Sequence, residues 1–256
     1  AACPATTLTL GAPGPAPAAP TGSEQTLILV NEQRMAALYG SGPTVAMMDK
    51  LATLAARSDV HGLVVPVDSD ATVRNAYASW DASPCAPDGA NGVVSAINSL
   101  VDTLRPDTPQ LRHIVIVGAD NAIPMARVPD LTSVDNQVSY TDTVRYRGTD
   151  NDISAAFLDG YVLSDDPYGD FDPQPWLSGR LYVPDVGLGR LVETPADVSA
   201  AVDAYIAADG VLNPTSGFVT GYDFRSDAAQ SILNASKSLA PSATGLIGNS
   251  WTAANA

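Results

Sequence analysis

His113-Ile114-Val115-Ile116-Val117-Gly118 is the stretch on which the fold turns. Four β-branched residues run without interruption into a glycine, which suits a strand covered on both faces. The signature recurs upstream as Thr26-Leu27-Ile28-Leu29-Val30 and as Gly62-Leu63-Val64-Val65-Pro66-Val67. Pro66 cannot donate to a ladder, so this second strand is expected at a sheet edge. Helical stripes lie between the strands. Met48, Leu51, Ala52 and Ala55 follow a break at residues 40–43, and Val93, Ile97, Leu100, Val101 and Leu104 run up to Arg105-Pro106. The order β-α-β-α-β predicts parallel strands joined by right-handed crossovers.

Residues 119–185 lose this regularity and become dense in Asp, Pro, Gly and Tyr. That composition suits long loops or small hairpins at the functional end of a sheet. Regular structure is expected again at 186–191. Thr194 as N-cap, Pro195 at the first helical position and Asp197 in place of the capping-box Glu then announce a helix, with Val198, Ala201, Val202, Tyr205 and Ile206 on one face. A strand over 217–222, a Ser226-capped helix with Ile232 and Leu233 inward, and a weak strand near 244–248 complete an alternating sheet of five or six strands.

The 256 residues suffice for one large α/β domain or two small ones. At 45% hydrophobic and 16% charged the chain is too apolar for disorder, and no run of eighteen apolar residues predicts a transmembrane helix. Lys+Arg 13 against Asp+Glu 28 gives a net charge of −15, which would repel a phosphate backbone, so nucleic acid is not an expected partner. Among the acids only Glu24, Glu32 and Glu193 are Glu. Asp favours turns, caps and hard-cation coordination, so the excess fits a loop-rich protein, with or without structural calcium.

Residues 1–24 form a Pro/Ala-rich tail expected to be extended and poor at packing, like the mature start of an exported protein or a cut from a longer one. The remainder, 25–256, reads as one α/β domain with 119–185 as a loop-rich insertion. Cys3 and Cys85 are the only cysteines. In an exported chain they are expected to form one disulfide between the tail and the segment 81–89.

A search for chemistry finds no G-x-S-x-G elbow and no H-E-x-x-H. The turn Val117-Gly118-Ala119-Asp120-Asn121-Ala122 lacks the further glycines of a dinucleotide site. His61 and His113 stand just before their strands, which points them away from the edge where ligands usually sit, and Cys85 has no strand feeding it. A carboxylate cluster remains. Asp165, Asp166, Asp170 and Asp172 surround Tyr168 and Gly169, either as a Ca²⁺ site, with Asp150 and Asp152 as further ligands, or as a solvated acidic turn.

Three stretches taken in order resemble the gingipain-type cysteine peptidases of the caspase-like clan. They are Ile114-Val115-Ile116-Val117-Gly118-Ala119-Asp120-Asn121-Ala122-Ile123-Pro124, Ser164-Asp165-Asp166-Pro167-Tyr168-Gly169-Asp170, and Tyr182-Val183-Pro184-Asp185-Val186-Gly187-Leu188-Gly189-Arg190-Leu191 followed by Thr194-Pro195-Ala196-Asp197. The resemblance implies a three-layer α/β/α sandwich around a mainly parallel sheet, caspase-like or Rossmann-like. It also implies export, a protein or peptide substrate, endopeptidase chemistry by a Cys–His pair, and often calcium. In the family the His and the Cys end two strands downstream of the one matched by 217–222, so neither is carried over to a residue here. The expectation is therefore the scaffold and substrate-side part of such an enzyme, with its catalytic half not in the chain. The family's acidic specificity residue matches Asp227 in Arg225-Ser226-Asp227, where a carboxylate could pair with a substrate guanidinium. Asp227 would equally complement a helix dipole. The competing expectations are a non-catalytic extracellular structural or adhesive module and, more distantly, a nucleotide-binding domain.

Overall fold

The computed structural model describes residues 5–132, 159–211, 213–249 and 251, so Cys3, Asp150 and Asp152 lie outside the described residues. The chain divides into two compact units, Ala1–Ile206 and Ala207–Ala256.

In the first unit, β1 (Thr26–Val30), β2 (Gly62–Pro66), β3 (His113–Val117) and β8 (Gly187–Leu191) form a parallel sheet in the order β2-β1-β3-β8. Val30 is in register with Val117, and Val117 with Leu191. Every residue of β1 is buried, as an uninterrupted apolar run requires, and Pro66 does sit on an edge strand.

Alternation along the strands sends side chains to two cores. Leu27, Leu29, Ile114 and Ile116 pack with α3 (Ala71–Ala82) and α4 (Pro87–Leu104), through Val73, Tyr77, Trp80, Val93 and Ile97. Ile28, Val30 and Val117 face the other way. They meet Met35 of α1 (Glu32–Tyr39), Met47 and Leu51 of α2 (Ser41–Ala55), and Val198 and Val202 of α5 (Pro195–Ala207). The result is the expected three-layer α/β/α arrangement. Truncating one of these fully buried Leu or Ile side chains to Ala would cost about 2–5 kcal/mol.

Two helices, α1 and α3, are additions to the sequence reading, and two faces are turned. In α2 the buried stripe is Thr44, Met47, Leu51 and Leu54, whereas Ala52 faces solvent. In α5, Val198 and Val202 are buried while Ala201 and Tyr205 are exposed. The irregular stretch does form small hairpins. β4 (Ala126–Pro129) pairs antiparallel with β5 (Tyr161–Ser164), and β6 (Gln174–Trp176) with β7 (Gly179–Leu181).

In the second unit, β9 (Phe218–Gly221) and β10 (Thr244–Ile247) form a parallel pair linked by α6 (Ser226–Leu239). Ser226 is the first helical residue, not the cap, and makes no capping bond; Ala229 and Leu233 are buried, while Ile232 is exposed. Among the described residues no helix is long and apolar enough to cross a membrane.

Candidate functional site

Parallel pairing gathers the carboxyl ends of β1, β2, β3 and β8 at one edge, and the polar groups of the first unit converge there. β1 runs into Asn31, whose Oδ1 accepts from the Arg34 amide at 2.8 Å and so caps α1. After β2 comes Asp68, 1% exposed, which accepts from the amides of Glu32 and Gln33. β3 runs into Gly118 at φ +100°, where a Cβ would stand 2.6 Å from that of Ala122. Only glycine fits this turn.

Three arginines knit the edge together. Arg34 donates to both oxygens of Asp81 (3.0 and 2.8 Å) and through Nε to the Asn121 carbonyl, with its guanidinium 4.8 Å from the centre of the Tyr77 ring. Arg127 grips Asp120 at 2.6 and 2.7 Å. Arg190 holds Asp165 at 2.8 and 2.5 Å while its other nitrogen donates to the carbonyls of Gly118 and Ile123. All are charge-assisted, bidentate for Arg127 and Arg190 and bifurcated from the single Nη1 for Arg34. Tyr77 and Tyr168 donate to the carbonyls of Ala122 and Pro124; burial pushes both phenols well above their ordinary range, so they stay neutral donors.

The three stretches singled out in the sequence therefore meet. The Gly118 to Pro124 turn, the Asp165 to Asp170 segment and the Gly189-Arg190 strand are joined by Arg190 and Tyr168. The crevice between β1 and β3, where strand order reverses and a nucleotide would lie, is spanned by Arg34 reaching from α1 to Asn121.

The acidic cluster is divided by the fold. Asp165 is the partner of Arg190, and Asp166 is exposed. Asp170 and Asp172 come together with Asp185, one oxygen from each lying within 4.8 Å of the others. Asp170 is nearly buried and accepts from the amides of Asp172 and Val183, while Asp185 accepts from that of Phe171. Backbone amides thus fix the carboxylates of Asp170 and Asp185 beside that of Asp172, a set of oxygens whose chemistry suits a hard cation such as Ca²⁺. Asp185 was not anticipated, because it lies in the next motif along the chain.

His61 and His113 are exposed at the amino edge; His113 borders a largely apolar cavity of about 480 Å³ lined also by Val115, Gly189 and Tyr205. Cys85 follows α3, whose last turn is held by Arg34 at the carboxyl edge, so thiol and imidazoles belong to opposite edges. The Cys3–Cys85 pairing involves a residue outside the described ones; no described cysteine is free. In the second unit Asp227 is exposed in the first turn of α6 and accepts from the Ala228 amide at 2.8 Å. Beside it in sequence, Tyr222 stacks on Phe224 and Trp251, with ring centres 6.2 and 5.3 Å apart.

Compared with known proteins, the chain matches the family model for peptidase family C25 over residues 25–240. No curated protein and no solved structure gives a match.

Proposed function

This chain belongs to peptidase family C25, and from that premise we propose that it serves as the scaffold and substrate-side part of an exported, gingipain-like cysteine endopeptidase whose reacting Cys–His pair is not among residues 1–256. The observation that carries the reading is the commitment of the carboxyl edge to support. Arg34, Arg127 and Arg190 each bind a carboxylate and a main-chain carbonyl there, and among the described residues neither histidine shares that edge with Cys85.

In such an enzyme a thiolate attacks the peptide carbonyl, imidazole handles the proton and backbone N–H groups hold the oxyanion. Asp227 would face a substrate guanidinium, Ca²⁺ would sit among Asp170, Asp172 and Asp185, and Cys3 would be linked to Cys85. The test is to incubate the full chain with arginyl and lysyl peptides, with and without iodoacetamide, while measuring peptide binding. Arginyl peptides are expected to bind without being cleaved, at least ten-fold more weakly to an Asp227→Asn chain. Turnover abolished by alkylation would identify Cys85 as a nucleophile and overturn the reading. Absence of any binding would favour the structural or adhesive module.

A further inference from the structure

The N-terminal tail forms no helix or strand in residues 5–25, yet it does not hang free. The Thr6 amide donates to the Asp81 carbonyl at 2.8 Å, the Gly11 carbonyl accepts from Gln33 Nε2, and the Gly14 amide donates to Asp68 Oδ2 at 2.6 Å. Beyond them, Glu24 accepts from the Thr21 and Gly22 amides and closes a turn where the tail enters β1. All three seats, Asp81, Gln33 and Asp68, stand at the carboxyl edge of the sheet. Beneath the tail lies a cavity of about 260 Å³, bordered by Leu10 and by Asn31, Arg34, Arg74 and Tyr77.

The contacts are made to the tail's main chain, so they read backbone direction and spacing more than side-chain identity. One position is selective. A Cβ on Gly14 would stand 2.9 Å from the Pro66 Cβ, 3.0 Å from Glu32 Oε2 and 3.2 Å from Asp68 Oδ2, and the first of these, a ring carbon at the end of an edge strand, has little freedom to give way. Between the anchors the segment Leu10-Gly11-Ala12-Pro13-Gly14 bends at Ala12 and is stiffened by its proline, so less chain entropy is lost when it is laid down.

We propose that residues 6–14 are a releasable strap and that the surface beneath them, built from Gln33, Asp68 and Asp81, is a binding site for a polypeptide segment of the Leu-Gly-x-Pro-Gly kind, filled by the chain's own tail. Held in cis, the tail has an effective concentration on the order of mM and excludes a competitor. Released, it uncovers a cavity whose walls carry both guanidinium and carboxylate groups at the edge of the sheet where α/β proteins take their ligands.

The test uses the full chain with reductant present, so that Cys3 cannot tether the tail. In the wild-type chain the Thr6 and Gly14 amides are expected to exchange at least ten-fold more slowly than those of Thr7 and Thr9. A Gly14→Val chain should lose that protection and bind a fluorescein-labelled peptide of residues 5–20 at least ten-fold more tightly than the wild type does. The same peptide carrying Gly14→Val should not bind. Gly14→Ala repeats the comparison with a smaller intrusion should Val disturb folding. Equal exchange rates along the wild-type tail, equal peptide affinity for the wild-type and variant chains, or no binding to the variant would each overturn the proposal.

Discussion

Replacing Asp165 by Asn isolates the contact that joins the family's three stretches. The substitution keeps shape and one acceptor but removes the charge facing Arg190, whose side chain is 8% exposed against 22% for Asp165. Breaking a fully buried pair from one side costs about 3–5 kcal/mol, because a guanidinium is left without a counter-charge, whereas exposed pairs contribute about 0–1 kcal/mol. With about a fifth of the Asp165 side chain in water, and with the Gly118 and Ile123 carbonyls still accepting from Arg190, a loss of about 2–3 kcal/mol is expected. For a unit of this size that lowers Tm by roughly 4–12 °C. Thermal unfolding followed by circular dichroism, with and without a calcium chelator, is the assay. Because Asp165 is spent on Arg190, the chelator's effect should be the same in the variant as in the wild type. A Tm within about 2 °C of the wild type, or a chelator effect that disappears in the variant, would refute the assignment of Asp165 to the ion pair.

For calcium, a chelator is expected to lower the wild-type Tm and to leave Asp170→Asn and Asp185→Asn chains unchanged; an unaltered wild-type melt would count against the site. Glu32 is partly buried, and burial first, then the neighbouring Asp68, pushes its carboxyl above the ordinary range. The folded chain therefore holds that proton to higher pH than the unfolded one, so stability falls as pH rises from the ordinary carboxyl value through the folded one. Glu32→Gln should accordingly raise Tm near pH 7 and change it little at about pH 4, and an equal effect at both would reject this electrostatic account. Finally, thiol titration in denaturant should find no free thiol before reduction and two after it, whereas two titratable thiols at the outset would exclude the Cys3–Cys85 bridge.

β1, β2 and β3 were legible because burial between two helical layers demands uninterrupted apolar runs, and α5 because Thr194 and Asp197 cap it reciprocally, as their spacing announces. The first helix was hidden. Asn31-Glu32-Gln33-Arg34 reads as a polar loop, and the burial of Arg34 depends on Asp81, far along the chain. For α3 the signal was present: Asp70 caps the Thr72 and Val73 amides, and Val73, Tyr77 and Trp80 share the buried face. In α2 adjacent methionines and alanines leave the inward face undetermined until Met47 meets the sheet. The acidic segment was visible as composition, but its division was not. Asp165 is claimed by Arg190 and Asp170 is joined by Asp185, both pairings set by how the hairpins return to β8.

The position of β8 in that sheet bears on how the chain is made. Until Gly187 to Leu191 leaves the ribosome, one side of β3 presents an unsatisfied row of amides and carbonyls, a template for any other extended chain. The long excursion of residues 118–186 delays its natural closure, and Arg190 secures that closure only when it arrives. Nascent chains halted before Gly187 should therefore self-associate more strongly in light-scattering measurements than chains halted after α5. The arrival of β8 moves the open edge from the β-branched run of β3 to the short, glycine-rich Gly187–Leu191, a poorer template for a second chain.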